Sequence, residues 1–440
     1  MRSLFLTDRF FWLFGSIAVA FALSYAFEGL FRWAQLAFVL ALALTGVDAL
    51  VLYGRHQYLT CRRQMASVFS LGDPNPVAIE VENRSNFRLK IAAVDELPVQ
   101  LQARDFSLSA VIPPGEGLKL CYQVRPLTRG AYAFGDIHLF ASSAVGLLER
   151  RFTFESSCEV AVYPSVFQMR RYELTALRGT AADKGIKRVR RLGHGYEFEQ
   201  IKNYVEGDDY RSINWKASGR RGTLMVNQYE DERSQQLFCI LDKSRTMNMP
   251  FGGMSLLDYA INTALIISNI ALKKQDRVGL LSFSDVLGSA IPAERGIRQL
   301  RVLLKALYRE QERSSEANYE LLYQAVRRLI PRRALLLLFT NFESRYALER
   351  ALPVLRNLNR MHLLVVTFFE NAEVRTIAET LPTDMLGLFR QSVARQFLEE
   401  KEEIKNSLAQ HGIQVVLTKP EALSVNTINK YLELKARGLI

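Results

Sequence analysis

The run Leu237-Phe238-Cys239-Ile240-Leu241-Asp242-Lys243-Ser244-Arg245-Thr246 decides the fold of the larger part of this chain. Its first five residues read as an apolar strand with Cys239 as a buried thiol. The strand ends on a carboxylate, with two hydroxyls at alternate positions of a tight loop. Asp242, Ser244 and Thr246 can present oxygens to one small hard cation. Mg²⁺ suits that donor set, with water or a partner's carboxylate filling the remaining positions. Asp and Ser also cap helices, and a helix is expected next, so the loop equally reads as a helix start.

Downstream, strand-like runs at Val278–Phe283, Ala334–Thr340, Leu363–Phe369 and Gln414–Leu417 alternate with helical periodicity. The helical stretches lie at Leu256–Lys273, Gly296–Tyr308, Tyr319–Leu329, Arg345–Leu358, Gln391–Gln410 and Glu421–Ala436. This alternation predicts an α/β domain over 234–440 built on a doubly wound parallel sheet. Ligands of such sheets sit at the carboxyl ends of the strands, where Asp242 stands.

Upstream, residues 166–233 hold a basic run, Lys184–Arg191, followed by an aromatic and charged stretch. Two readings apply. Asp208, Asp209, Tyr210, Arg211, Asn214, Trp215 and Lys216, with Arg220 and Arg221, form a partner or anion site, with Arg as bidentate donor and Trp as stacking face. Alternatively Trp215 and the tyrosines pack beneath the domain, and the basic residues pair with Asp208, Asp209, Glu230 and Asp231. His194 reads as a loop histidine as readily as a catalytic one. No Walker A pattern is present, so nucleotide binding has no support.

Residues 55–165 change to period two: Val77, Ile79 and Val81, then Leu118, Leu120, Tyr122 and Val124, separated by Gly-, Pro- and Asn-rich turns. Short alternating strands at this spacing predict a small β-sandwich of immunoglobulin-like type, a spacer or docking surface. Cys121 and Cys158 would pair only on an oxidising side of a membrane, and no Cys or His spacing fits zinc.

Residues 1–54 predict a hairpin of two transmembrane helices, spanning about 10–27 and 33–53, each near the length needed to cross the hydrocarbon core. Flanking Phe, Trp and Tyr supply an interfacial belt, and no small-residue cleavage site marks a signal peptide. Arg2 and Arg9 before the first span, and Arg55, Arg62 and Arg63 after the second, outweigh Arg32 in the turn. Both termini and all soluble domains are therefore expected in the cytoplasm of a bacterial inner membrane protein. Asp48 reads as a carboxylate reaching the interface or as a polar contact to a partner helix. The net charge of +12 points to an anionic neighbour.

Tyr204-Val205-Glu206-Gly207-Asp208-Asp209-Tyr210-Arg211-Ser212-Ile213-Asn214-Trp215-Lys216-Ala217-Ser218 resembles the signature of domain-of-unknown-function family fifty-eight. Leu257–Asp285, Leu335–Ser344 and Tyr431–Gly438 fit it too, so the resemblance covers about Gln168 to the end. It implies a von Willebrand factor A-like C-terminal domain and a working association with MoxR-type AAA+ ATPases, which are thought to remodel or mature protein complexes. It implies no enzymatic activity. The full A-domain metal pattern also needs a second-loop Thr, not evident in Ser314–Asn318, and a late Asp, replaced here by Asn341. The expected function is a membrane-anchored, non-catalytic adaptor with no nucleic-acid partner. The alternatives are a membrane-bound metal-dependent hydrolase and a binder of anionic lipid or nucleic acid through Lys184–Arg191.

Overall fold

The computed structural model describes residues 3–54, 59–103, 106–177, 197–205, 208, 210–230, 235–382 and 384–439. Arg2, Arg55, Lys184–Arg191, His194, Glu206, Gly207, Asp209 and Asp231 lie outside them. The chain divides into two compact units, Met1–Tyr163 and Pro164–Ile440.

The first unit opens with β1 (Leu4–Leu6), α1 (Asp8–Leu23) and α2 (Glu28–Tyr53). Ten strands follow: β2 (Leu59–Met65), β3 (Val68–Ser70), β4 (Asn75–Asn83), β5 (Leu89–Asp95), β6 (Leu108–Ile112), β7 (Gly117–Val124), β8 (Gly130–Phe134), β9 (Ile137–Ser142), β10 (Leu148–Phe154) and β11 (Cys158–Tyr163). With β1 they form three sheets, ordered β1-β10-β9-β5-β6, β3-β11-β8 and β2-β4-β7. The alternation of Val77, Ile79 and Val81 places all three in the interior. The thiols of Cys61, Cys121, Cys158 and Cys239 are free, and Cys239 is buried.

α2 is long and apolar enough over Gly29–Tyr53 to cross a membrane. α1 has 16 residues, about 24 Å at 1.5 Å per residue. The two helices pack through Phe14–Phe38, Phe21–Phe31 and Phe21–Phe38 ring contacts.

β1 precedes the first helix yet belongs to the β unit, pairing antiparallel with β10 from Leu4↔Arg150 to Leu6↔Leu148. Asp48 bonds to the β unit. It is fully buried, and it accepts from Ser143 Oγ, Leu147 N at 2.9 Å and Leu148 N at 2.8 Å. The donors come from the turn between β9 and β10 and from the first residue of β10, so the carboxylate fastens an apolar helix to this strand connection. Thr7 grips the same turn, its Oγ1 donating to Gly146 O and Leu147 O. Arg150 Nη1 caps the Leu52 carbonyl at 2.6 Å, its guanidinium lying over the Tyr53 ring.

The second unit runs α3 (Val166–Leu177), β12 (Glu197–Asn203), α4 (Trp215–Arg221), β13 (Met225–Glu230), β14 (Gln236–Asp242), the small pair β15 (Pro250–Phe251) and β16 (Met254–Ser255), α5 (Leu256–Lys273), β17 (Arg277–Phe283), β18 (Leu287–Glu294), α6 (Ile297–Arg309), α7 (Tyr319–Leu329), β19 (Leu335–Phe339), α8 (Arg345–Met361), β20 (Leu363–Phe369), α9 (Ala372–Glu379), α10 (Met385–Gln410), β21 (Gln414–Thr418) and α11 (Leu423–Ala436). The main sheet has the order β18-β17-β14-β19-β20-β21. Five strands are parallel, and the edge strand β18 returns antiparallel on β17. That hairpin makes the sheet mixed rather than wholly parallel.

Successive residues of β14 feed opposite faces. Leu237, Cys239 and Leu241 join one apolar core with α5, α6 and α11 residues. Phe238 and Ile240 join another with residues of α7, α8 and α10. Burial on both sides accounts for the unbroken apolar strands. α10 starts at Met385, six residues before the periodic stretch Gln391–Gln410, because Asp384 caps it by accepting from Gly387 N at 2.7 Å. Its first turns keep their apolar side chains outward, which hides the start from a core-facing periodicity.

Gly279 on β17 stands opposite Phe238. A Cβ there would lie 2.3 and 2.6 Å from Phe238 ring carbons and 2.8 Å from the Ile291 carbonyl oxygen. Gly279→Ala is expected to destabilise the unit by about 1–3 kcal/mol, the usual cost of overpacking. A denaturant midpoint equal to wild type would overturn this account of the β14–β17 contact.

Candidate functional site

In the second unit the strand order reverses between β14 and β19: the chain goes from β14 to β17 on one side and from β19 to β20 on the other. A crevice opens at the carboxyl ends of strands at such a point. Here it is a cleft of about 590 Å³ lined by Asp242, Ser244 and Thr246 from the loop after β14, Asp285 after β17, Glu316–Glu320 at the start of α7, and Asn341–Glu343 after β19.

Asp242 is fully buried at the floor. Its Oδ1 accepts from Ser244 N at 2.9 Å and its Oδ2 from Thr340 Oγ1 at 2.6 Å, while Tyr319 OH lies 2.9 Å from Thr340 Oγ1. Burial pushes the carboxyl above its ordinary range, against the pull of the Thr340 and Ser244 hydrogen bonds. Ser244 Oγ and Thr246 Oγ1 are 3.0 Å apart. The loop is braced from the facing segment by Arg245 N donating to Ser315 O and Arg313 N to Lys243 O, both at 2.9 Å. Below it Lys243 pairs with the buried Glu310 at 2.7 Å.

On the rim, Asp285 accepts from Ser315 Oγ at 2.7 Å and Ser284 Oγ at 2.9 Å, which hold its carboxyl down at about 2. Arg245 reaches Glu316 and Glu343, each at 3.6 Å, and Arg350 reaches Glu316 at 3.4 Å. These exposed pairs contribute little stability. The cleft is acid-rich, with Asp242, Asp285, Glu316, Glu320 and Glu343 against Arg245 and Arg350.

Asp242, Ser244 and Thr246 fit one side of a Mg²⁺ shell: one carboxylate and two hydroxyls from a single loop. No group of three or more His, Cys, Asp or Glu side chains among the described residues could hold a metal by itself. Asn341 is tied up as framework. Its Nδ2 donates to Thr246 O at 3.3 Å and its Oδ1 accepts from Lys401 Nζ at 3.0 Å. Lys401 also donates to Phe342 O, and burial lowers its ammonium to about 8. A cation in this loop would have to take its remaining ligands from water or from a partner.

None of the described Tyr204–Ser218 residues lines this cleft. Within that segment the described residues fall into two groups. Asp208 is structural: it pairs with Lys202 at 2.8 Å and accepts from Val205 N at 3.0 Å. So is Asn214, which caps α4 by accepting from Ala217 N at 3.0 Å and donates to Asn227 Oδ1 at 2.7 Å. Tyr210, Arg211, Trp215 and Lys216 face solvent, with Arg211 donating to Tyr210 OH at 3.3 Å. Trp215 is 72% exposed. The packing of Trp215 beneath the domain is thereby corrected: a seven-residue helix capped by Asn214 leaves the indole outside.

Thr340, Tyr319, Asp285 and Lys401 were not among the residues singled out from the sequence. Thr340 was readable as the first polar residue after Leu335–Phe339. Lys401 sits within a charged helical stretch and carried no distinguishing signal.

Among curated proteins, the chain is similar to an uncharacterized protein, YeaD, of Bacillus subtilis (strain 168), at 25% identity over 59% of this chain. The chain spans 64% of that relative's length. Similar solved structures include the conserved hypothetical protein BatB of Bacteroides thetaiotaomicron (12% identity, 47% of this chain, 100% of that chain, TM-score 0.34). They also include a PapD-like domain of human CEP192 (13% identity, 24% of this chain, 87% of that chain, TM-score 0.19). Residues 200–382 match the family model described as protein of unknown function DUF58.

Proposed function

We propose that this protein is a membrane-anchored, non-catalytic adaptor that presents the Asp242 cleft of a von Willebrand factor A-like domain to a protein partner. The observation that carries the reading is the buried Asp242 loop at the point where the sheet order reverses, with Ser244 and Thr246 at the mouth of an acid-rich cleft. A Mg²⁺ held by Asp242, Ser244 and Thr246 would supply positive charge for an acidic side chain of the partner, which completes the shell. In this reading α1 and α2 form a two-span anchor in a bacterial inner membrane, the soluble units are cytoplasmic, the three β sheets act as an immunoglobulin-like spacer, and the partner is a MoxR-type AAA+ ATPase. The exposure of Trp215, Lys216, Arg220 and Arg221 supports a second contact, for an anionic surface of the ATPase or its client.

The test is a crosslinked pull-down of tagged full-length protein from native membranes, comparing wild type, Asp242→Ala and Trp215→Ala. Recovery of an AAA+ ATPase with wild type, reduced about tenfold or more by Asp242→Ala, is the expected result; tenfold corresponds to about 1.4 kcal/mol of binding. Equal recovery with Asp242→Ala but loss with Trp215→Ala moves the contact to the Tyr204–Ser218 segment. No ATPase with any of the three overturns the partner assignment.

A further inference from the structure

The first half of α10 is an amphipathic helix whose apolar side is left exposed by the described residues. Met385, Leu386, Leu388, Phe389 and Val393 are all more than half exposed, Met385 at 86%. At about 100° per residue, Met385, Phe389 and Val393 form one stripe, with Leu386 and Leu388 on its two flanks. Arg390 borders this arc on one side and Arg395 on the other, both exposed. Gln391 and Ala394 occupy the opposite side and are buried. Gln391 ties that side to α9 and the turn after it, donating to Ala378 O at 3.1 Å and Thr380 O at 2.9 Å. Ile377 and Leu381, in that helix and turn, are exposed as well.

We infer that this face is an in-plane membrane contact, seated on an anionic bilayer. Charge decides the occupant. Residues 385–398 contain two arginines and no acid, whereas Glu399, Glu400, Glu402 and Glu403 crowd the next two turns. An apolar arc edged by arginines lets the rings and aliphatic chains enter the acyl boundary while the guanidinium groups stay among headgroup phosphates. The acidic half of the same helix is kept in water. The chain also carries, in α2, a helix able to hold it at a bilayer. The inference goes beyond the adaptor reading: it gives the second unit a lipid contact of its own, on elements that do not line the Asp242 cleft.

The test uses the full chain with Cys61, Cys121 and Cys158 replaced by Ser and an environment-sensitive fluorophore at Phe389→Cys. A matched label at Tyr346→Cys, an exposed position on α8, serves as control. Protein is reconstituted in phosphatidylcholine vesicles with or without 30% phosphatidylglycerol (about that fraction suffices for a strongly anionic surface), floated, and probed with a lipid-borne quencher. An arginine near an anionic surface contributes roughly fivefold, so two give about a thirtyfold preference for the acidic bilayer. The expected result is quenching of the 389 label in acidic vesicles, weak quenching in neutral ones, little at 346, and loss on Arg390→Glu with Arg395→Glu. A chain that floats with an unquenched 389 label overturns the lipid contact and leaves the anchor standing. A 389 label shielded equally in lipid-free detergent solution points to a protein on this face and also overturns it. A chain that fails to float with acidic vesicles overturns both the anchor and this contact.

Discussion

Asp242→Asn is expected to raise the thermal midpoint of the protein at neutral pH, although it removes the residue on which the cleft is centred. Burial places the folded-state pKa of Asp242 above the ordinary value of 3.8. A carboxyl raised in this way favours the folded state fully below the unfolded value, and that advantage is lost as pH rises through the folded value. Above the folded value the wild-type chain keeps a desolvated carboxylate, with Ser244 N and Thr340 Oγ1 among its donors. An asparagine fills the same volume: its oxygen accepts from Ser244 N, and its amide donates to Thr340 Oγ1, which can turn its own proton to Tyr319. We expect a gain of about 2–4 °C at pH 7.5, the response of a unit this size to roughly 1 kcal/mol, shrinking toward zero near pH 4. Mg²⁺ should act oppositely. If the loop holds a cation with millimolar affinity, a tenfold excess stabilises wild type by about 1.4 kcal/mol and leaves Asp242→Asn unmoved. Parallel melts at two pH values, with and without Mg²⁺, read both effects. A midpoint for Asp242→Asn below wild type at pH 7.5 would falsify the buried-carboxylate argument, and a wild type indifferent to Mg²⁺ would remove the cation from the proposed function.

The parts of this molecule that were legible in the sequence are those set by local pattern. The Leu237–Leu241 run, ending on Asp242, announces a strand because five apolar residues cannot make a helix and the polar loop follows at once. The same logic recovers the strands through Leu337, Val365 and Val416, and the helices from Leu256 and Tyr319. What failed was contact between distant residues. β18 alternates apolar and polar residues too weakly to show that it doubles back on β17. Leu4–Leu6 carries no strand signal at all; its pairing with β10 depends on a partner about 145 residues away. Lys401 looks like a solvated charge in a run of glutamates, and only the tertiary fold turns it toward Asn341. The cleft's centre was therefore visible from one loop, while its second tier, Thr340, Tyr319 and Lys401, required the packed sheet. In the signature segment the residue types leave a binding site and a packed, charge-paired surface both open, and capping geometry sorts them: Asn214 and Asp208 hold the backbone, and Trp215 and Lys216 are exposed.

Replacing Asp48 by leucine should make the helix more apolar and the first unit less stable. The carboxylate lies five residues before the end of α2, and nothing in the composition of the helix calls for it. Its burial is offset because three donors converge on it: Ser143 Oγ, Leu147 N and Leu148 N. Leucine leaves the two backbone N–H groups unpaired in the interior, at about 1–3 kcal/mol each, so a loss of roughly 3–5 kcal/mol is expected. Asparagine should cost only about 1 kcal/mol, because its oxygen can take both N–H groups and its amide can donate to Ser143 Oγ. The observable is local: amide exchange at Leu147 and Leu148 should quicken about a hundredfold or more in Asp48→Leu, the factor that 2.7 kcal/mol supplies. The Leu4–Leu6 ladder to β10, the Thr7 contacts to the same turn and the Arg150 cap on Leu52 should then carry the attachment. Since the turn is gripped from Thr7 before α1 and from Asp48 near the end of α2, it fixes both helices to one strand connection. Releasing one grip should leave the β strands folded but loosen the end of α2, which the Arg150 contacts to Leu52 and Tyr53 would still hold, so protease cuts would appear near Tyr53 before any appear within β9 or β10. Exchange at Leu147 and Leu148 unchanged from wild type would show that the turn is held by the strands around it, and that the carboxylate merely occupies a space they create.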